Sequence, residues 1–153
     1  ARRRAYPARM TTAPAAPPAI AAWHRLVEVG REDRAAAYGL LDEVLADDVV
    51  FRSPAVHTPQ EGRAITTAYL RAALLVLGPT LTYQRAWYAA DSAVLEFTAT
   101  VGEKHVHGID MIAWDAQDRI VDFTVMVRPQ QGLAALIEQM GAELLRTAEE
   151  GGR

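Results

Sequence analysis

The stretch Gly108-Ile109-Asp110-Met111-Ile112-Ala113-Trp114 decides the reading of this chain, together with the polar run Asp115-Ala116-Gln117-Asp118 and the segment Ile120-Val121-Asp122-Phe123-Thr124-Val125-Met126-Val127 that follows it. Two segments rich in β-branched and aromatic residues, joined by so short a polar link, predict a β-hairpin. Its first strand carries one carboxylate, Asp110, among apolar neighbours. A carboxylate in such a place is paired, neutral or functional, because an isolated charge held away from water is costly and its pKa shifts instead.

Side chains alternate along a strand, so Val106, Gly108, Asp110, Ile112 and Trp114 share one face, and His105, His107, Ile109 and Met111 share the other. On the second strand Val121, Phe123, Val125 and Val127 form an unbroken apolar face, which must turn to the core. If the register aligns that face with the even-numbered set, Asp110 sits inside among Ile112, Trp114, Phe123 and Val125. Gly108, without a side chain, then leaves room beside it for a ligand. The opposite face is apolar enough to be covered too, which predicts a homodimer with sheet packed on sheet. His105 and His107 fall at that interface or its rim. Two histidines do not complete a coordination shell, so no metal site is expected.

Outward from the hairpin, strands are predicted over 81–88, 93–101, 105–114 and 120–127. The links between them are short and turn-like (Ala90-Asp91-Ser92, Gly102-Glu103-Lys104 and the 115–118 run), which makes an antiparallel meander. Upstream, Ile20, Trp23, Leu26 and Val27 mark one face of a helix that Gly30 can end in the left-handed conformation. A second helix is expected over 32–45, a short strand over 49–52, and an irregular loop between Pro54 and Gly62. A third helix over 63–77 is broken by Gly78-Pro79, and a fourth covers 131–147. Helices followed by a meander give an α+β fold in which a curved antiparallel sheet wraps around helices.

At 153 residues, half of them hydrophobic, the chain has the length of one domain with a substantial core. That domain is expected over 18–149, after a lead-in of residues 1–17 that reads as disordered with polyproline character, and before a short tail of residues 150–153. Met10 is a candidate start. The basic opening is followed by an Ala/Pro/Thr tract rather than an apolar core, so no secretory signal is expected. No apolar run has the length of a membrane span, and a cytoplasmic protein follows as the expectation. Lys104 is the sole lysine and alanine is abundant, which suggests a GC-rich bacterial genome. A net charge of −3 without a basic, aromatic-interleaved stripe argues against nucleic acid as a partner. The absence of cysteine excludes disulfides, thiolate nucleophiles and zinc-thiolate sites. Chemistry falls to carboxylates, histidines, hydroxyls and arginines, with no cofactor implied.

In this order of elements the chain resembles the nuclear transport factor two-like superfamily, over roughly residues 21–145. Two motifs carry the resemblance: Ala46-Asp47-Asp48-Val49-Val50-Phe51-Arg52-Ser53-Pro54 running on to Glu61-Gly62-Arg63, and residues 108–115 running on to Asp118-Arg119-Ile120. The resemblance implies a cone-shaped α+β barrel with an internal apolar cavity. It includes ketosteroid isomerases, limonene epoxide hydrolases and SnoaL-type polyketide cyclases, so it specifies fold better than activity. By comparison with ketosteroid isomerase, Asp110 looks like the neutral aspartic acid that donates a hydrogen bond to an oxyanion. The family's tyrosine donor falls at Trp23, whose indole N–H donates but does not titrate usefully. The family's general base falls at Ser53, which is not a base. The Asp-Arg-Asp set of the epoxide hydrolases is missing from Leu95-Glu96-Phe97-Thr98-Ala99 and from Val125. A SnoaL-type cyclase needs only one acid/base group in an apolar cavity, which this chain supplies.

The resemblance therefore implies an isomerase or cyclase for a hydrophobic polyketide- or steroid-like molecule, or else a non-catalytic small-molecule-binding or dimerisation module. Candidate catalytic residues are Asp110, Trp23 and His57. His57 lies in the proline-flanked loop, where it is either a base at the cavity mouth or a solvated loop histidine. Candidate substrate-binding residues are Ser53, Tyr69, Leu95, Phe97, Gly108, Ile112, Trp114, Phe123 and Val125. Tyr83 and Trp87 are further aromatic candidates for a pocket wall or for plain core. Arg52, Arg85 and Arg128 are each possible partners of Asp110 or Glu96, and an arginine beside Asp110 would keep it ionised.

Overall fold

The computed structural model describes residues 14–152, and the first thirteen residues of the expected lead-in lie outside them. Helix α1 (Pro18–Glu32) opens with proline in its first turn, where the missing N–H has no partner to lose. Gly30 does not stop it. That glycine lies inside the helix, and a Cβ added there would stand 3.3 Å from the Ala37 Cβ, so its smallness lets the second helix approach. The stop comes at Asp33, whose side chain accepts the Ala36 N–H at 3.0 Å and caps α2 (Arg34–Val44). Strand β1 (Leu45–Arg52) follows without a loop and starts four residues earlier than predicted, because Leu45 pairs with Ile120 and is fully buried.

A two-residue strand, β2 (Gln60–Glu61), closes the loop against β1, and Gly62 with φ +99° turns the chain into α3 (Arg63–Val76). The meander is β3 (Thr82–Tyr88), β4 (Ser92–Val101), β5 (Lys104–Trp114) and β6 (Ile120–Arg128), and the described chain ends in α4 (Gln130–Gly151). The six strands lie in the order β2-β1-β6-β5-β4-β3. The four meander strands pair antiparallel as predicted, but β1 runs parallel to β6, so the sheet is mixed rather than wholly antiparallel. It is curved and does not close.

The hairpin register sets the geometry of everything that follows. Asp110 stands opposite Val125, Ile112 opposite Phe123 and Gly108 opposite Val127, so the even-numbered face of β5 joins the apolar face of β6. A bulge between Ala113 and Trp114 then puts Trp114 opposite Ile120. Ile120 rather than Val121 is thereby turned into the core at that end, since one extra residue reverses the parity of the strand. Gly108 is also on the inner face, but it leaves no space for a ligand. A Cβ there would come within 2.6 Å of both the Met126 carbonyl and the Phe97 ring, so the glycine is filled over by Phe97. The core is completed from the helices by Ile20, Trp23, Leu26, Leu41, Leu70 and Leu136. No helix among the described residues is long and apolar enough to cross a membrane.

Candidate functional site

Asp110 is brought inside by the period-two alternation of β5 and is only 5% exposed. Burial in an apolar wall disfavours its charged form and raises its pKa from 3.8 to about 7, against a smaller opposing effect of a hydrogen bond from Tyr83. None of the arginines weighed as partners reaches it. Arg85 and His107 both bind Glu96 on the outer face of the sheet, and Arg52 pairs with Asp122. The Glu96 carboxylate is thereby held down at about 2, by Arg85 first and His107 second.

The partner of Asp110 is Tyr83 on β3. Its hydroxyl donates to Asp110 Oδ2 at 2.7 Å and accepts the Trp23 Nε1–H at 2.7 Å. The direction of this relay follows from donor chemistry. An indole N–H can only donate, so the Tyr83 oxygen is the acceptor there and its single proton points to Asp110. Oδ2 must therefore be an unprotonated oxygen, and in the neutral acid the proton resides on Oδ1. Burial, followed by the neighbouring Asp110 charge, pushes the Tyr83 phenol well above its ordinary value, so Tyr83 stays a neutral donor. The rings around the relay are held in place: Trp23 meets Phe123 edge-on at 4.9 Å, and Tyr83 meets Phe97 edge-on at 6.4 Å. His24 packs against Tyr83 at a tilt, with ring centroids 5.1 Å apart, and its burial lowers its pKa.

Asp110 opens onto a narrow pocket of about 40 Å³. Trp23, Tyr83, Phe123 and Val125 line it from α1 and the sheet, Leu70 and Leu74 from α3, Leu77 from the cap just past α3, and Leu136 and Met140 from α4. Asp110 and Tyr83 are its titratable groups. Of the residues named from sequence, the structure gathers Asp110, Trp23, Tyr83, Phe123 and Val125 on this pocket. Leu95, Phe97, Ile112 and Trp114 are buried in the core around it without lining it. Ser53 and Tyr69 line an adjoining groove, where the Ser53 hydroxyl accepts the Ala55 N–H at 3.0 Å. His57 is exposed in a different depression, on the far side of the same loop.

Sequence reasoning missed Tyr83 as the Asp110 partner. A bulge between Tyr83 and Ala86 sets Gln84 and Arg85 together against the sheet ladder, so Tyr83 faces inward opposite Phe97 while Arg85 turns outward to Glu96. By simple alternation Tyr83 and Arg85 would share a face. The signal that could have separated them is chemical: one is a neutral aromatic with a hydroxyl, the other a permanent cation.

No family model matches the chain, and no curated protein does in sequence. Solved structures do match. A steroid delta-isomerase from Pseudomonas aeruginosa is 41% identical, over 86% of this chain and 92% of that one, with a TM-score of 0.78. The chain belongs to the nuclear transport factor two-like superfamily. A conserved bacterial protein with a cystatin-like fold from Silicibacter pomeroyi is 30% identical over 86% of this nuclear transport factor two-like chain and 89% of its own, with a TM-score of 0.76. A protein of unknown function from Cytophaga hutchinsonii, itself nuclear transport factor two-like, shares the fold at 9% identity, with a TM-score of 0.55 over 77% of this chain and 96% of that one.

Proposed function

We propose that this protein is an isomerase or cyclase acting on a hydrophobic, carbonyl-bearing small molecule of polyketide or steroid type, with Asp110 as the acid or hydrogen-bond donor. The observation that carries the reading is a buried carboxyl with a pKa of about 7, backed by Tyr83 and facing an apolar pocket. A carboxylic acid that is neutral near pH 7 donates to a carbonyl oxygen, and that bond strengthens as the oxygen gains charge on the way to an enolate. Trp23 acts through Tyr83: it fixes the phenol so that the phenol fixes Oδ2, leaving Oδ1 for the substrate. The apolar walls hold the reacting conformer, which contributes by orientation. The likeness to a protein named as a steroid delta-isomerase supports the reaction class.

The test is turnover of a panel of enones and polyketide-type cyclisation substrates by the wild type, Asp110→Asn and Asp110→Leu. Activity should fall by about two to four orders of magnitude in both variants. In the wild type the rate should decline above pH 7 as the acid ionises. Equal turnover by all three proteins removes Asp110 as the acid.

A homodimer through the outer face of the sheet belongs to the same proposal. Trp87 is 51% and Met126 53% exposed on that face, with Met111 between them, which is more apolar surface than an outer sheet face needs to show to water. Sedimentation should give a dimer that Met126→Glu weakens. A wild-type monomer at micromolar concentration overturns this part.

The single titratable lining carboxyl equally suits a non-catalytic module that binds such molecules. Tight binding of a ketone that depends on Asp110, without turnover of any panel member, decides for the module.

A further inference from the structure

The pocket at Asp110 is far smaller than the roughly 300–1,000 Å³ of ordinary small-molecule sites. It accommodates a carbonyl head and little more. Pro54, Leu136 and Met140 line both this pocket and a groove of about 180 Å³ between the loop of residues 53–56 and α4. The two spaces are therefore separated by one layer of side chains. One member of that layer, Met140, is an unbranched thioether that changes rotamer easily.

We propose that this groove is the second half of the binding site and takes the apolar chain of an elongated substrate whose carbonyl sits at Asp110. The inference rests on the Asp110 reading and adds the substrate class: a carbonyl compound with a flexible acyl- or isoprenoid-like chain. Three features select that occupant. The groove lining contains no charged side chain, so an ionised tail is disfavoured. Val56 and Ile137 stand at its edges 43% and 42% exposed, apolar surface that a bound chain would cover. Gly141 lines it where an added Cβ would meet nothing within 4 Å, so the groove is open at that point.

Gly141 also supplies a clean variant. It lies inside α4, where leucine is a better helix former than glycine, so Gly141→Leu should fold while filling the groove. The probes are straight-chain methyl ketones from 2-butanone to 2-dodecanone, with binding followed by protein NMR shifts and indole fluorescence. Beyond the carbons that fill the inner pocket, affinity should rise about fourfold per methylene in the wild type. Gly141→Leu should flatten that dependence and leave 2-butanone binding unchanged. An equal slope in wild type and Gly141→Leu overturns the inference while leaving the Asp110 reading intact. If 2-butanone binds equally to wild type and Asp110→Leu, the Asp110 reading fails, and the groove is then judged by the slope alone. If the wild-type slope is already flat and Gly141→Leu changes the sedimentation from dimer to monomer, a second copy of the chain fills the groove and the inference is wrong.

Discussion

The Tyr83 hydroxyl holds Asp110 Oδ2 at 2.7 Å across the inner face of the sheet, and it is fixed in that role by the Trp23 indole 2.7 Å away on its other side. The bond opposes the desolvation that drives the Asp110 pKa upward, so the value of about 7 is a balance between the two.

Removing one side of that balance should be visible. Tyr83→Phe deletes the hydrogen bond that favours the ionised form, so the Asp110 pKa should rise above about 7. Carbon-detected NMR of the labelled carboxyl reads this directly. The Trp23 N–H also loses its acceptor, and a stability loss of about 1–3 kcal/mol is expected in urea unfolding at pH 6. An unchanged or lowered Asp110 pKa contradicts the relay.

The same pKa makes a statement about stability. Its folded value lies above the unfolded value of 3.8, so the folded state binds more protons between pH 4 and 7, and stability falls as pH rises through that window. The drop is on the order of 4 kcal/mol and levels off above pH 7. Asp110→Asn keeps an acceptor for Tyr83 and has no charge to bury. It should match the wild type near pH 4 and be the more stable protein at pH 8, and a constant difference across that range would disprove the assignment.

Glu96 carries the opposite sign. Its folded pKa of about 2 lies below the ordinary 4.5, so its stabilising effect is present above pH 4.5 and is lost as the solution is acidified toward pH 2. Arg85→Ala removes the larger cause, and the Glu96 titration should then move up toward 4.5 with His107 as its remaining partner. NMR titration of the Glu96 carboxyl checks this. A midpoint unmoved from the wild type would show that Arg85 is not the main cause.

Two glycines should respond to alanine in opposite directions. Gly108→Ala drives a methyl group into the Met126 carbonyl and the Phe97 ring and should cost about 1–3 kcal/mol. Gly39 lies within α2 with nothing within 4 Å of an added Cβ, so Gly39→Ala should stabilise by about 0.5–1 kcal/mol. Thermal melts distinguish them, and a neutral Gly108→Ala would mean that the space beside Asp110 is open after all.

Local pattern was enough to find the four helices, β1 and the four meander strands, and to choose the face of β5 that carries Asp110, while β2 went unseen in the loop before Gly62. Helical spacing in α1, α3 and α4 and the alternation along β5 and over residues 122–127 of β6 are local periodicities set by backbone geometry, and the tight links of the meander left one way to pair those strands. The choice of Asp110 followed from the same alternation. The neighbours of Asp110 came from packing between segments distant in the chain. The parallel β1–β6 pairing joins residues far apart in the chain, and the bulges at 83–86 and 113–114 each reverse strand parity through a single extra residue that no periodicity announces. Tyr83 rather than an arginine reaches Asp110 because of the first of these bulges. Gly108 lies under Phe97, where no ligand can sit, because the neighbouring strand supplies a ring at that level. The size of the pocket depends on how α3 and α4 pack over the sheet. Such contacts arise between surfaces distant in sequence, so local pattern carries no record of them.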